Sequence, residues 1–161
     1  MVNFPRLSKM RIAIYHNLLS GGAKRALHEE VRRLSPEHEI DVYTLSSANH
    51  QFADLRAFVN NHNIYDFKPP PLLKSPFGRL NQAIRLVDLL RLRRVNRKIA
   101  RDINMKGYDV CYVNPCQYET SPSLLRYLNG LPSVYFCQEP LRRLYEEHPG
   151  RPYDESDSAF R

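Results

Sequence analysis

The stretch from Arg11 to Leu45 constrains the fold most. RIAIYH (11–16) is a short β-branched apolar run, of the kind a buried parallel strand shows. AKRALHEEVRRL (23–34) puts Ala26, Leu27, Val31 and Leu34 on roughly one face with charges elsewhere, and EIDVYTL (39–45) alternates as a second strand. The first pattern is an amphipathic helix, ended by Ser35-Pro36. Strand, helix and strand in so few residues make a βαβ unit, and that unit demands a parallel sheet.

The rest of the chain repeats the alternation. Helices are expected at 51–61, 77–105, 121–129 and 139–148, and strands at 63–67, 108–114 and 133–137. KPPPLLKSP (68–76) reads as a stiff connector, because its prolines fix φ and remove donors. Gly107 sits where a helix C-cap belongs, and Ser121-Pro122 suits a helix start. Helices alternating with strands imply an α/β, Rossmann-like parallel sheet covered on both faces.

A chain of 161 residues is expected to hold one domain. The division is a tail over 1–9, a Rossmann-like domain over 10–150, and a polar tail or continuation over 151–161. Hydrophobic content of 42% with 25% charge argues against wholesale disorder. No apolar run approaches the roughly 18 residues of a membrane span. MVNFPRLSKM lacks the apolar core of a signal peptide. Cys111, Cys116 and Cys137 show no zinc spacing, so reduced thiols and a cytoplasmic location are expected.

Ligands of such sheets bind where strands end, near the switch in strand order. The rule selects 16–25, 45–50, 114–119 and 137–142. In HNLLSGGAKR (16–25), Gly21-Gly22 either faces a phosphate or sugar at the positive end of the following helix, with Lys24 and Arg25 adding charge, or is only a tight turn. The pair lacks the spacing of a dinucleotide fingerprint. In YFCQEPLRRLYEE (135–147), Gln138 and Glu139 stand at a strand end before Pro140. One can hydrogen-bond hydroxyls and the other can accept a proton, or Glu139 simply serves the first helical turn. His16, Asn114 and Gln117 complete the candidate rim.

The net charge of +7 is concentrated. From Arg85 to Arg101, seven basic residues face one acid, Asp88. An anionic membrane surface would fit this segment. Nucleic acid is disfavoured, since no aromatic side chain there could stack a base. A solvated helix face, with Leu and Ile packed on the sheet, is the simplest account.

Met10–Leu45 and residues 108–146 (YDVCYVNPCQ…LPSVYFCQEPLRRLYE) together resemble the N-terminal domain of family-4 glycosyltransferases of the GT-B fold. The likeness rests on the Gly-Gly turn after the first strand and on Gln138-Glu139-Pro140, which stands where that family commonly carries a His-Glu-Pro type motif. The resemblance implies retaining transfer of a sugar from a nucleotide-sugar donor, with no metal and no other cofactor. It implies an acceptor-side half that holds a carbohydrate or lipid-linked acceptor, with Gly21 and Gly22 facing the donor diphosphate. The partner would be a C-terminal nucleotide-binding domain, without which this stretch is inactive. A place at the inner face of the membrane would follow. Glutamine at Gln138 cannot titrate, which removes acid–base chemistry from that position. Glu147 and Glu155 match the spacing of the family's donor-site pair, but the prolines and glycine between them prevent presentation from a helix start. The competing reading is a free-standing Rossmann-like module that binds a phosphorylated or nucleotide ligand without catalysis.

Overall fold

In the computed structural model, residues 8–74, 76–119 and 121–138 are described. The expected helix at 139–148, the tail over 151–161, Glu139 and Pro140 lie outside them. Five parallel strands form one sheet: β1 (Arg11–Asn17), β2 (Glu39–Leu45), β3 (Asn61–Tyr65), β4 (Val110–Cys116) and β5 (Ser133–Tyr135), in the order β3-β2-β1-β4-β5. Among the described residues two α-helices accompany them, α1 (Gly22–Leu34) and α2 (Asn81–Met105). The fold is the α/β, Rossmann-like one the sequence implies.

Strand alternation divides the core in two. On one face Ile12, Ile14, Ile40 and Val42 pack with Leu27 and Val31 of α1. On the other, Ala13, Tyr15, Tyr43, Leu45 and Val113 pack with Leu92, Ile99 and Ile103 of α2. Each fully buried aliphatic side chain contributes about 1.5–3 kcal/mol. The register is continuous between β1 and β2, from Arg11↔Glu39 to His16↔Thr44. Between β1 and β4 it shifts after Tyr15↔Val113, and Asn17 pairs with Cys116. Pro115, which has no N–H to give the ladder, lies in that interval, so the strand continues past Asn114 only through a bulge.

Two expected helices are absent. Residues 51–60 form turns, because Asn49 Oδ1 accepts from the amides of Gln51 and Phe52 (2.9 Å each) and Asp54 Oδ1 accepts from Arg56 N (3.0 Å). Short polar side chains here outcompete the helical ladder. Leu55, Phe58 and Val59 still cover the α1 face. Residues 123–127 are a short 3-10 turn. Asn104 on α2 donates to Tyr127 O (2.9 Å) and accepts from Asn129 N (3.3 Å), so groups a longer helix would use are taken.

β3 pairs from Asn61 rather than Asn63, with Asn61 Nδ2 donating to Asp41 Oδ1 at 2.9 Å. A 3-10 turn over 77–80 precedes α2, and Gly107 (φ 66°) follows its end in the left-handed conformation expected of a cap. The structure confines the sheet-facing Leu and Ile of α2 to Leu92, Ile99 and Ile103. Leu86, Val87 and Leu90 point to solvent, at 60, 55 and 47% exposure.

Candidate functional site

The strand order reverses between β1 and β4: the chain moves outward from β1 to β2 and β3, then returns to lie beside β1 as β4. Crevices of doubly wound sheets open at the carboxyl ends of strands at such a reversal. The segments following β1 and ending β4 are therefore the ones that matter. They carry His16, Gly21, Gly22, Lys24 and Arg25 on one side and Asn114 and Gln117 on the other.

Gly21 has φ 155° and ψ −174°, a combination essentially reserved for glycine. It N-caps α1 without any side-chain cap, and the first turn of α1 holds no acid. Among the described residues, the first amides of the helix thus have no capping side chain. A Cβ at Gly22 would have no heavy atom within 4 Å beyond its chain neighbours and its own helix backbone, so the space beside it is open.

Lys24 is turned away from that opening. It is 1% exposed, and its Nζ lies 3.1 Å from His16 Nε2. Burial pulls the Lys24 amine down to about 8, with Asp54 opposing. Burial also lowers His16 well below its usual range, helped by Lys24, His62 and His50. His50 and His62 are themselves lowered, chiefly by burial, and their rings meet edge-on at 5.6 Å. Arg25 is exposed and lies over the Phe52 ring at 5.3 Å. Of the two charges expected beside the turn, only Arg25 stays at the surface.

Asn114 is fully buried, and neither its side-chain oxygen nor its nitrogen has a hydrogen-bond partner among the described residues. Thr44 Oγ1, across β1 from it, and Gln138 Nε2, after β5, are also unpartnered there. Buried polar groups are nearly always satisfied in native proteins, so three such groups near the ends of strands call for an explanation. Gln117 differs. Its Nε2 donates to Asn17 Oδ1 (3.3 Å) and Ser47 O (3.1 Å), and Ser47 Oγ donates to the same Asn17 oxygen (3.2 Å). Gln117 therefore ties the ends of β1, β2 and β4 together.

A hollow of about 380 Å³ lies on the α2 face, lined in part by Phe67, Arg85, Asp88, Leu92, Gln117 and Tyr118. Phe67 and Tyr118 meet edge-on at 5.3 Å. Asp88 is 5% exposed; Oδ1 accepts from Arg91 Nη1 at 3.3 Å, while Oδ2 has Arg85 Nη1 at 3.9 Å and no hydrogen bond among the described residues. Thr44, His50, His62, Asp88 and Tyr118 were not among the residues the sequence singled out. For Thr44, His50 and Tyr118 the signal was only a polar or aromatic residue close to the end of an apolar strand, while His62 opens β3 and Asp88 lies within α2, so the folded chain is needed to place them.

Cys111 and Cys116 are free and buried, and Cys137 is free and exposed. Among the described residues no group of three or more His, Cys, Asp or Glu could hold a metal ion, and no helix is long and apolar enough to cross a membrane.

The fold is a Rossmann-like α/β one, with His16 and Asn17 ending β1 and Asn114 and Gln117 at the end of β4 beside it. No protein family and no curated protein matches the sequence. Among solved structures, the C-terminal domain of a Pyrococcus furiosus hydrogenase (residues 78–226) is similar at TM-score 0.55 and 9% identity, over 83% of this chain and 95% of that one. A second structure of that domain (residues 83–215) gives 0.50 and 11%, over 84% and 97%. Arabidopsis thaliana UGT89C1, complexed with UDP, gives 0.44 and 15%, over 66% of this chain and 29% of that one. At these identities the hydrogenase-domain likeness speaks for the fold alone.

Proposed function

We propose that the chain is the acceptor-side domain of a retaining glycosyltransferase, acting with a nucleotide-binding domain to move a sugar from a nucleotide-sugar donor to a carbohydrate or lipid-linked acceptor. The observation that carries the reading is Asn114, wholly buried at the switch point with an amide that no described residue engages. A primary amide offers two donors and an acceptor, the pattern that vicinal hydroxyls satisfy. The start of α1 adds amides that no described side chain caps, suited to the diphosphate that leaves.

In this reading Gly21 and Gly22 face the donor diphosphate, and Arg25 adds positive charge beside it. Asn114 and Gln138 hold acceptor or transferred-sugar hydroxyls. His16 and Lys24 shape the floor, Gln117 fixes the rim, and Pro140 belongs to the acceptor-binding set. The C1–O bond to the diphosphate breaks, the acceptor oxygen bonds to C1 on the same face, and the acceptor proton passes to the leaving phosphate. Glu139 orients that acceptor. No metal or other cofactor enters the scheme.

Saturation-transfer NMR with simple glycosides and with nucleoside diphosphates tests it. Transfer to glycosides that is lost in Asn114→Ala, with the fold retained, supports the proposal. Saturation of nucleoside diphosphates alone replaces it with a free-standing nucleotide-binding module.

A further inference from the structure

The outward face of α2 is unlike the outer face of an ordinary surface helix. At about 100° per residue, Ala83, Leu86, Val87 and Leu90 fall on one stripe, and Arg93, Arg94, Arg97 and Arg101 continue it toward the C-terminus. Asp88, Leu92, Asn96, Ile99 and Ile103, all buried, occupy the opposite side. All eight residues of the outer stripe are exposed. The helix therefore shows water an apolar half followed by a basic half.

The approach to α2 extends the same surface. Leu72, Leu73, Phe77 and Leu80 are 49, 42, 62 and 53% exposed. Residues 67–101 carry ten basic side chains and one acid, Asp88, which is buried and already engaged by Arg91. Apolar patches of this kind on soluble surfaces mark interaction sites. The charge around this one decides among partners. A partner must tolerate a dense positive field while accepting leucine and phenylalanine side chains, and an anionic lipid surface offers both in one plane.

We propose that the outer stripe of α2, with the 72–80 segment before it, docks this domain on an anionic phospholipid surface. Leu86, Val87, Leu90 and Phe77 enter the boundary between headgroups and acyl chains. Arg93, Arg94, Arg97 and Arg101 lie along the headgroups. Because the stripe is opposite the sheet-facing side of α2, docking leaves the strand ends uncovered. The inference is independent of the sugar-transfer reading, since it uses no residue of the switch-point rim.

Flotation of the chain with phosphatidylcholine–phosphatidylglycerol vesicles and with pure phosphatidylcholine vesicles tests it. The expected result is binding to the mixed vesicles only, weakened by salt. Arg93→Ser with Arg94→Ser should lower the partition coefficient about thirtyfold, near fivefold per basic residue. Leu86→Gln with Leu90→Gln should lower it about tenfold at unchanged charge, by removing the apolar contribution. All four positions are solvent-facing, and circular dichroism of each variant checks the fold. Equal binding to neutral vesicles, or full binding by the leucine variant, overturns the proposal. So does a vesicle-indifferent chain whose self-association disappears in the leucine variant, since the stripe would then join protein to protein.

Discussion

Lys24 Nζ stands 3.1 Å from His16 Nε2, with both side chains inside the protein. The Leu18 amide donates to His16 Nδ1 (3.4 Å), which places the proton of a neutral ring on Nε2. That proton needs an acceptor, and an unprotonated Lys24 amine supplies one. A charged ammonium would instead set donor against donor. Geometry and burial therefore pull in the same direction, toward a neutral lysine.

This has a measurable cost at neutral pH. The amine titrates near 8 in the folded chain and near 10.5 unfolded, a difference of about 3 kcal/mol. Between those values the unfolded chain holds more protons, so stability rises with pH through that window. Lys24→Met should raise stability at pH 7 by up to about 3 kcal/mol, less the loss of the His16 contact. The difference between variant and wild type should shrink steadily toward pH 10.5. Urea unfolding at pH 7, 8, 9 and 10 checks the trend; a pH-independent difference would refute it.

His16 acts at the acid end. Its folded value lies well below 6.5, with burial the main cause and Lys24, His62 and His50 adding repulsion. Its contribution to stability is complete above about 6.5 and is lost as pH falls toward the folded value, because the unfolded chain takes up the proton first. Each group of this kind steepens the fall by up to about 1.4 kcal/mol per pH unit. His16→Gln should therefore flatten the stability profile between pH 5 and 6.5, whatever it does to the plateau. Denaturant midpoints across that range measure the slope.

Tyr15, Asn96, Ser123 and Glu119 form a buried network that holds α2 to the sheet and to the loop after β4. Tyr15 Oη donates to Asn96 Oδ1 (3.0 Å), Asn96 Nδ2 donates to Ser123 Oγ (2.9 Å) and Glu119 Oε2 (3.2 Å), and that carboxylate also caps Ser123 N (2.8 Å). Asn96→Leu takes a hydrogen-bond partner from Tyr15, Ser123 and Glu119 at once and should cost about 3 kcal/mol or more, whereas Tyr15→Phe removes one bond and should cost about 1–2 kcal/mol. Equal losses for the two variants in equilibrium unfolding would show that the network does not act as one.

The sheet was legible in the sequence because apolar runs such as RIAIY and DVYTL depend only on local pattern. The helix expected at 51–61 was not, because its fate turned on Asn49 and Asp54 capturing amides two or three residues ahead, a competition that hydrophobic spacing does not record. Asn104 ending the turn at 123–127 is less visible still, since the two segments meet only in the folded chain. The rim was half legible. Strand ends pointed to His16, Asn114 and Gln117, but that Lys24 faces inward rather than toward a ligand depends on which side of α1 the sheet covers. The outward leucines of α2 were missed for the same reason: helical periodicity shows that faces exist, and packing decides which one is hidden.

The two glycines of the first turn should behave as different residues. Gly21 adopts a backbone conformation that side chains rarely enter, although an added Cβ would touch nothing. The cost of Gly21→Ala is thus conformational strain, about 1–3 kcal/mol. Gly22 has ordinary helical geometry at the first position of α1 and equally open space. Gly22→Ala should therefore be neutral, or stabilising by up to about 1 kcal/mol through helix propensity. If the opening above Gly22 receives a ligand, the two variants should exchange roles in binding. Gly22→Ala would intrude on the space over the α1 amides while the fold stays intact. Thermal unfolding of both variants, with nucleoside diphosphate saturation transfer on Gly22→Ala, separates backbone need from ligand room. A Gly22→Ala chain that is destabilised as much as Gly21→Ala would mean that the turn requires both glycines for its own shape.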